Sequence, residues 1–276
     1  MREMVVAAIQ MASELGQAKL NAAYMCRWLE RARVSGAQMV FFPECSLTGY
    51  STAQASEIAI AADDEAIALL EYHASMLGVA VGYGFVERDA AVELPYVTYV
   101  VAYGEDRLVY RKSHLGASEQ PYFSQGNELP VADIAGVCIG VQLCWEGHIP
   151  DIAATLRARG AELLLTPHAG GLGGTRRVDS WCRYLPARAQ DNGMYVLACN
   201  ALWPEGYQSS SMTERGGHGG GLIAFAPDGS LLESYDGDDE HMLALRIGGV
   251  LPREMKSGGM MNISFFDRRR PELYER

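Results

Sequence analysis

Residues 136–165, GVCIGVQLCWEGHIPDIAATLRARGAELLL, contain the alternation of elements that decides the fold. The apolar run over 136–144 predicts a strand, the segment 150–160 predicts a helix that ends at a glycine, and the three leucines that start at 163 predict another buried strand. Short apolar runs and helix-period segments alternate in this way through most of the chain. We therefore predict an α/β fold in which helices cover mixed sheets.

The flanking sequence continues this alternation. Predicted strands cover 4–11, 39–42, 79–83 and 195–199, predicted helices cover 64–76 and 179–192, and two hairpins turn at 104–106 and 227–229. The first helix is predicted to carry Leu20, Tyr24, Trp28 and Ala32 on one face. Neither a proline- or serine-rich linker nor a strong internal repeat is visible, so we predict a single domain over 1–276.

Composition narrows the classes of partner. Hydrophobic residues make up 49% of the 276 residues and the net charge is −11, so there is material for a core but no broad basic face for nucleic acid. The apolar run 5–9 is too short to span a membrane and lacks a signal-peptide cleavage pattern, which predicts a cytoplasmic protein without membrane contact. The six cysteines contain no CxxC pair and are expected to be reduced thiols, mostly packed as small apolar side chains.

Three predicted strands end in a polar residue of reactive type, namely Glu44, Lys112 and Cys144. Ligands and catalytic groups gather at strand ends in α/β folds. A thiol is mostly protonated at neutral pH, so a nucleophilic Cys144 needs a base or a nearby positive charge. Glu44 in a dry pocket is a candidate base, Lys112 favours the thiolate and stabilises an oxyanion, and the backbone N–H of Trp145 is a second oxyanion donor. This set predicts covalent catalysis.

The sequence around these residues resembles the three signature blocks of the nitrilase superfamily, the carbon–nitrogen hydrolases, in the family's order. The blocks are FPECSLTGY at 42–50, YRKSHL at 110–115 and GVQLCWE at 140–146. Weaker similarity continues at 187–192, 195–196, Asn200, 227–229 and 267–274. The resemblance implies a four-layer α-β-β-α sandwich that pairs through a helical face into homodimers or higher homo-oligomers. It also implies that Glu44 is the general base, Lys112 the oxyanion stabiliser and Cys144 the nucleophile, with Glu119 orienting Lys112 or the substrate.

A small-molecule substrate is the expected partner. Five further residues are predicted to touch it: Tyr50, Trp145, Glu146, His148 and His168. The pocket walls are expected to come from the loops 51–56, 115–124, 169–174 and 203–219. Two tryptophans, Trp145 and Trp203, are candidates for contacting an aromatic or apolar substrate. Alternatively, Arg176 or Arg177, beside the third of these loops, is a candidate for holding a substrate carboxylate.

The signature blocks resemble two branches of the family that catalyse different reactions. Cys144-Trp145-Glu146 resembles true nitrilases, whereas the lysine block with Glu119 resembles amidases and carbamoylases. The second match is the longer one, so we predict an amidohydrolase that cleaves a small linear amide or N-carbamoyl compound through a thioester and releases ammonia. A nitrilase is the alternative, and an acyltransferase and a non-catalytic scaffold are the rivals from other classes.

Histidines offer a competing arrangement. His114, His148 or His168 is a candidate partner of Cys144 in a Cys–His dyad, or a candidate metal ligand. None has the close ligand spacing of zinc motifs, so we predict neither a metal nor a cofactor.

Overall fold

The computed structural model describes residues 1–203, 219–249 and 269–273. Its strands are β1 Met4–Gln10, β2 Met39–Phe41, β3 Ala80–Glu87, β4 Tyr96–Tyr103, β5 Asp106–Arg111, β6 Val131–Ile134, β7 Val137–Val141, β8 Leu163–His168, β9 Tyr195–Asn200, β10 Leu222–Phe225, β11 Leu231–Tyr235 and β12 His241–Ile247. Its helices are α1 Ala18–Val34, α2 Ala55–Ile58, α3 Glu65–Leu77, α4 Pro150–Ala158, α5 Gly174–Trp181 and α6 Leu185–Asn192, with short 3-10 helices at Cys144–His148 and Pro271–Leu273. Most of the predicted wall 203–219 and part of the tail 267–274 lie outside the described residues.

The strands form two six-stranded mixed sheets with the same order of pairings. The first sheet runs β12-β1-β2-β3-β4-β5 and the second β6-β7-β8-β9-β10-β11. In each, the second, third and fourth strands are parallel to one another, and the first strand pairs antiparallel with the second. The fifth and sixth strands are each antiparallel to the strand before them. Helical crossovers join the parallel strands, as this connection requires.

Three apolar cores hold the layers together. The two sheets face each other across one core, while α1 and α3 cover the outer face of the first sheet and α4, α5 and α6 cover that of the second. The predicted four-layer α-β-β-α sandwich is therefore confirmed. Along β8, Leu163 and Leu165 point between the sheets and Leu164 points to the helices. Burial on both faces explains why the parallel strands are continuous apolar runs.

Local signals set several helix ends. Asp64 caps α3 by accepting a hydrogen bond from the amide of Ala66 at 2.9 Å. Gly78 ends this helix and Gly193 ends α6, each with a positive φ, 63° and 61°, that glycine adopts without a steric cost.

No helix in the described ranges is long and apolar enough to cross a membrane.

The predicted helix over 179–192 is wrong, because the chain forms α5 and α6 with a break between them. Pro186 lies in the first turn of α6, where its missing amide is tolerated, and its ring prevents α5 from continuing. The break leaves Tyr184 at the start of α6 instead of inside a helix.

Two other predictions need correction. Leu20 of α1 is 58% exposed, and the buried face of that helix is instead formed by Ala22, Met25, Trp28, Leu29 and Ala32. The strand predicted over 136–144 ends at Val141, so Cys144 lies beyond it, at the first position of a 3-10 helix. The edge strands β6 and β12 were not predicted.

Candidate functional site

Glu44 lies on a tight turn that follows β2 and rests on β3. A β-carbon at Gly84 of β3 would lie 2.5 Å from the backbone nitrogen of Cys45, so only glycine lets the turn approach this closely. Cys45 has a φ of 55°, and the amide of Leu47 donates to the carbonyl of Gly84 at 2.9 Å. This packing fixes the backbone that carries Glu44.

Lys112 follows β5 and places its ammonium between two carboxylates. Its Nζ lies 3.0 Å from Oε1 of Glu44 and 2.7 Å from Oε1 of Glu119. The three residues are 1%, 2% and 5% exposed. Three charges so deeply buried are tolerated only because the pairing and hydrogen bonding are close.

Glu119 is itself held in place by two donors. The Tyr50 hydroxyl donates to Oε1 at 3.0 Å, and the amide of Gly116 donates to Oε2 at 2.7 Å. The second oxygen of Glu44 accepts from the amide of Ala169 at 3.0 Å. Both carboxylates are therefore oriented by other groups while they hold Lys112.

The charges in this cluster act on each other. Burial lowers the pKa of Lys112, but Glu44 and Glu119 more than offset it, so the pKa is well above its usual value and the ammonium stays charged. Burial raises the pKa of Glu44 against the opposing charge of Lys112. A carboxylate of raised pKa is a better proton acceptor than an exposed one.

Cys144 has a φ of 47°, in the left-handed region that non-glycine residues seldom adopt. A residue held in this conformation is often part of a functional site. The turn is closed by Glu146, whose Oε2 accepts from the amide of Leu143 at 2.7 Å. Burial and the carboxylate of Glu44 raise the pKa of the Cys144 thiol to about 12, although Lys112 opposes them, so the free thiol is neutral.

Glu146 ties the Cys144 turn to the Lys112 turn. It is fully buried, and its Oε1 accepts hydrogen bonds from the Tyr110 hydroxyl at 2.6 Å and from the amides of Ser113 and His114 at 2.9 Å each. Both of its oxygens are bonded to protein, and its predicted contact with substrate stays a prediction.

The predicted substrate-binding residues occupy different places. Tyr50 lines a small cavity that reaches Glu44. Trp145 is 49% exposed beside His148, at a ring distance of 5.6 Å. His168 is buried, and its ring nitrogens bond to the Thr166 carbonyl at 2.9 Å and to Trp181 Nε1 at 3.0 Å.

The surroundings of the histidines concern the alternative prediction that one of them pairs with Cys144 or binds a metal. Burial and the nearby charge of Arg177 lower the pKa of His168 well below its usual value, so its ring is neutral and fully engaged with protein. The side chain of His114 is 48% exposed, and its bonded partner is the Ser113 hydroxyl at 2.9 Å. Over the ranges 1–203, 219–249 and 269–273, no three His, Cys, Asp or Glu side chains are grouped so that they could hold a metal ion.

The second sheet and its loops bring to the site further residues to which the sequence had assigned no role there. Asn200, at the end of β9, accepts from the amide of Gly170 and donates to the carbonyls of Gly170, Leu172 and Gly220, which fixes the loop after His168. A buried asparagine at the end of an apolar strand was the available signal. Tyr184 was not singled out either, because its place depends on the unpredicted break before α6.

Comparison with known proteins agrees with this geometry. The sequence model of the Carbon-nitrogen hydrolase family matches residues 5–243. A probable nitrilase of Schizosaccharomyces pombe is 24% identical, with 98% of this chain and 97% of the relative covered. An N-carbamoylputrescine amidase of Arabidopsis thaliana is 27% identical, with 99% and 95% covered.

A similar solved structure is that of a mutant of the amidase from Nesterenkonia sp. AN1 in complex with butyramide. It superposes with a TM-score of 0.79 at 25% identity and covers 98% of this chain and 95% of its own. The similarity therefore extends over nearly the full length of the chain.

Proposed function

Because this chain belongs to the carbon–nitrogen hydrolases and acts on amides or carbamoyl compounds, we propose that it cleaves a small linear amide or N-carbamoyl compound through a Cys144 thioester and releases ammonia. The observation that carries the proposal is the buried Lys112 ammonium bonded by Glu44 and Glu119, in a charge cluster that acts on the half-buried thiol of Cys144. The butyramide bound by the Nesterenkonia enzyme supports a small aliphatic amide as the substrate class.

In the first half of the reaction, Glu44 takes the Sγ proton of Cys144 as the sulfur attacks the amide carbon. The C–S bond forms, and the carbonyl oxygen becomes an oxyanion that Lys112 and the amide of Trp145 stabilise. Glu44 then gives its proton to the leaving nitrogen, the C–N bond breaks, and ammonia departs. The product at this stage is a thioester on Cys144.

Water completes the reaction in the second half. Glu44, again ionised, takes a proton from water as the oxygen attacks the thioester carbon, and the same donors hold the second oxyanion. The C–S bond breaks, the sulfur recovers the proton, and the carboxylic acid leaves. An N-carbamoyl substrate follows the same steps through a thiocarbamate and yields ammonia, carbon dioxide and the amine.

The electrostatics fit this proton path. A thiol with a pKa of about 12 carries its proton at neutral pH, so the proton must leave as the attack occurs. Glu44, whose pKa burial raises, is the acceptor in this scheme. Glu119 does not reach the reacting atoms in this proposal; it holds Lys112 in position through its 2.7 Å bond.

A nitrilase remains the second candidate, and the S. pombe relative supports it. Attack of Cys144 on a nitrile carbon gives a thioimidate, which water converts to the acid and ammonia. Product analysis on paired amides and nitriles separates the two, because only a nitrilase converts the nitrile to its acid. An acyltransferase is tested by adding hydroxylamine and looking for a hydroxamate.

Ammonia release from a panel of amides, N-carbamoyl amino acids, ureido acids and nitriles tests the proposal. Wild type should release ammonia, and Cys144→Ala should lose the activity. Cys182→Ala is the matched control, since Cys182 is an exposed free cysteine beyond the end of α5. Hydrolysis that survives in Cys144→Ala would contradict the thioester mechanism.

A further inference from the structure

Arg177 of α5 is a buried cation next to the reactive thiol. It is 8% exposed. A β-carbon placed on Gly170 would lie 2.3 Å from its Nη2 and 3.9 Å from the Sγ of Cys144, so the guanidinium and the thiol are both within 4 Å of one point. Its charge lowers the pKa of the Cys144 thiol against the stronger opposing effects of burial and Glu44.

No acidic side chain in the described part of the chain pairs with this guanidinium. Its Nε donates to the carbonyl of Leu172 at 3.2 Å, and its carbon lies 5.6 Å from the ring centroid of Trp181. The guanidinium of Arg111, by comparison, bonds two carboxylates, those of Glu87 and Asp89. A charge kept in a buried site without a counter-ion is costly, and a bound anion removes that cost.

A second donor lies beside it. The hydroxyl of Tyr184 is buried; the indole of Trp181, which can only donate, contacts its oxygen, and no acceptor among the described residues takes its proton. Tyr184 packs against the turn that carries Cys144, because a β-carbon placed on Gly147 would lie 3.0 Å from its Cε2 and its ring centroid lies 4.3 Å from that of His148. Burial raises the pKa of Tyr184, so the hydroxyl keeps its proton and can donate it to an anion.

We propose that Arg177, assisted by Tyr184, binds a carboxylate of the substrate and makes this enzyme selective for amides or N-carbamoyl compounds that carry a free carboxylate. The inference rests on the proposed cleavage at Cys144, since the guanidinium selects only what the thiol can attack. Arg177 is close to the sulfur, so only a few carbon atoms separate the carboxylate from the scissile carbonyl. A guanidinium matches a carboxylate in both charge and shape, and it repels a substrate with an ammonium group.

Three amides of similar length test the charge preference. Succinamate carries a carboxylate, pentanamide is neutral, and 4-aminobutanamide carries an ammonium. The proposal expects wild type to hydrolyse succinamate with a kcat/KM about 10- to 100-fold above that of pentanamide, as a charge-assisted hydrogen bond supplies. The ammonium compound should be the poorest substrate.

Variants of two neighbouring arginines assign the preference. Arg177→Met should bring the succinamate-to-pentanamide ratio close to one, and Arg177→Lys should restore part of it. Arg183→Met is the matched control, because Arg183 lies just beyond the end of α5 and is exposed, and it should keep the wild-type ratio. An unchanged ratio in Arg177→Met would overturn the assignment.

Binding gives a readout that does not need turnover. Calorimetry with succinate, the product of succinamate hydrolysis, should show binding to Cys144→Ala and at least tenfold weaker binding when Arg177→Met is added. Thermal melting checks that each variant is folded, and Arg177→Lys takes the place of Arg177→Met if the latter does not fold. Absence of succinate binding to folded Cys144→Ala would also overturn the proposal.

The two proposals fail in different ways. Cys144-dependent hydrolysis of pentanamide at a rate equal to that of succinamate would overturn the role of Arg177 and leave amide hydrolysis standing. A carboxylate preference that depends on Arg177 but survives in Cys144→Ala would support the role of Arg177 and contradict the thioester mechanism.

Discussion

Lys112 is bonded on two sides by carboxylates, and this arrangement makes the two glutamates unequal. Glu44 also accepts from the amide of Ala169, whose loop belongs to the second sheet, and lies in the cavity with Tyr50. Glu119 is bonded by the Tyr50 hydroxyl and the amide of Gly116. At the scale of single residues, we therefore expect Glu44 to transfer protons and Glu119 to orient the lysine.

Replacing Glu119 should reduce turnover without destroying the proton acceptor. Glu119→Gln removes one of the two charges that hold the Lys112 ammonium, and we expect kcat to fall by about 10- to 100-fold with a smaller change in KM. Steady-state ammonia release measures this. Glu128→Gln, an exposed position that follows the same loop, is the control and should match wild type. Equal kcat values for the two variants would argue against the positioning role.

Glu44→Gln should have opposite effects on hydrolysis and on the acidity of the thiol. Burial and then the Glu44 charge raise the pKa of Cys144, and Lys112 opposes them, so removing the Glu44 charge should lower that pKa from about 12. The ultraviolet absorbance of the thiolate, taken against Cys144→Ala, follows the titration. We expect a lower midpoint together with lost hydrolysis. A midpoint that stays or rises would contradict the account.

The same pKa links stability to pH. The folded-state thiol has a raised pKa of about 12, against about 8.5 for an unfolded cysteine. Its contribution to stability is therefore complete below about pH 8.5 and is lost as pH rises towards 12. Urea unfolding of wild type and Cys144→Ala between pH 8 and 11 checks this, and the stability of wild type should fall more steeply with pH.

At the scale of elements, the site depends on how closely β3 approaches the Glu44 turn. Gly84→Ala would put a β-carbon 2.5 Å from the nitrogen of Cys45, so the turn must move. We expect a loss of about 1–3 kcal/mol in the free energy of unfolding and a fall in kcat. Gly104→Ala is the contrast, because nothing lies within 4 Å of its β-carbon, although its φ is 59°. It should cost stability through the backbone alone and leave kcat unchanged.

Elements with strong local signals were predictable, and those that depend on distant partners were not. The spacing of apolar residues and the helix-capping residues predicted the α/β alternation, the helix α3, and the strands before Glu44 and Lys112. β12 pairs with β1 across more than two hundred residues, and no local pattern carries such a pairing. The contacts of Tyr184 depend on a helix break that periodicity alone did not reveal.

At the scale of the whole molecule, the two sheets have the same order of strand pairings, and residues that follow strands of both sheets form the site. Glu44, Lys112 and Glu119 follow strands of the first sheet, while Cys144, Ala169 and Arg177 follow strands of the second. The order of Glu44, Lys112 and Cys144 in the sequence predicted this grouping through family resemblance. The position of Asn200 required the fold, because its partners Gly170, Leu172 and Gly220 lie on other loops. The approach of Arg177 to Cys144 also required it, because the two residues follow different strands.

The homo-oligomer implied by the resemblance stays a prediction at this scale. Sedimentation equilibrium at micromolar concentration should give about twice the chain mass of 30.1 kDa for a dimer, or a higher multiple. A mass equal to one chain over the full concentration range would contradict it.

The central claim is that the acyl group passes through Cys144, and rapid-quench mass spectrometry tests it most directly. The intact enzyme is mixed with succinamate, quenched in acid within the first turnover, and digested. The account predicts a succinyl group on the peptide that contains Cys144 and no such group in Cys144→Ala. Ammonia should appear with the adduct and before the free acid. Sustained hydrolysis in which this peptide stays unmodified, with no hydroxamate formed when hydroxylamine is added, would contradict the account.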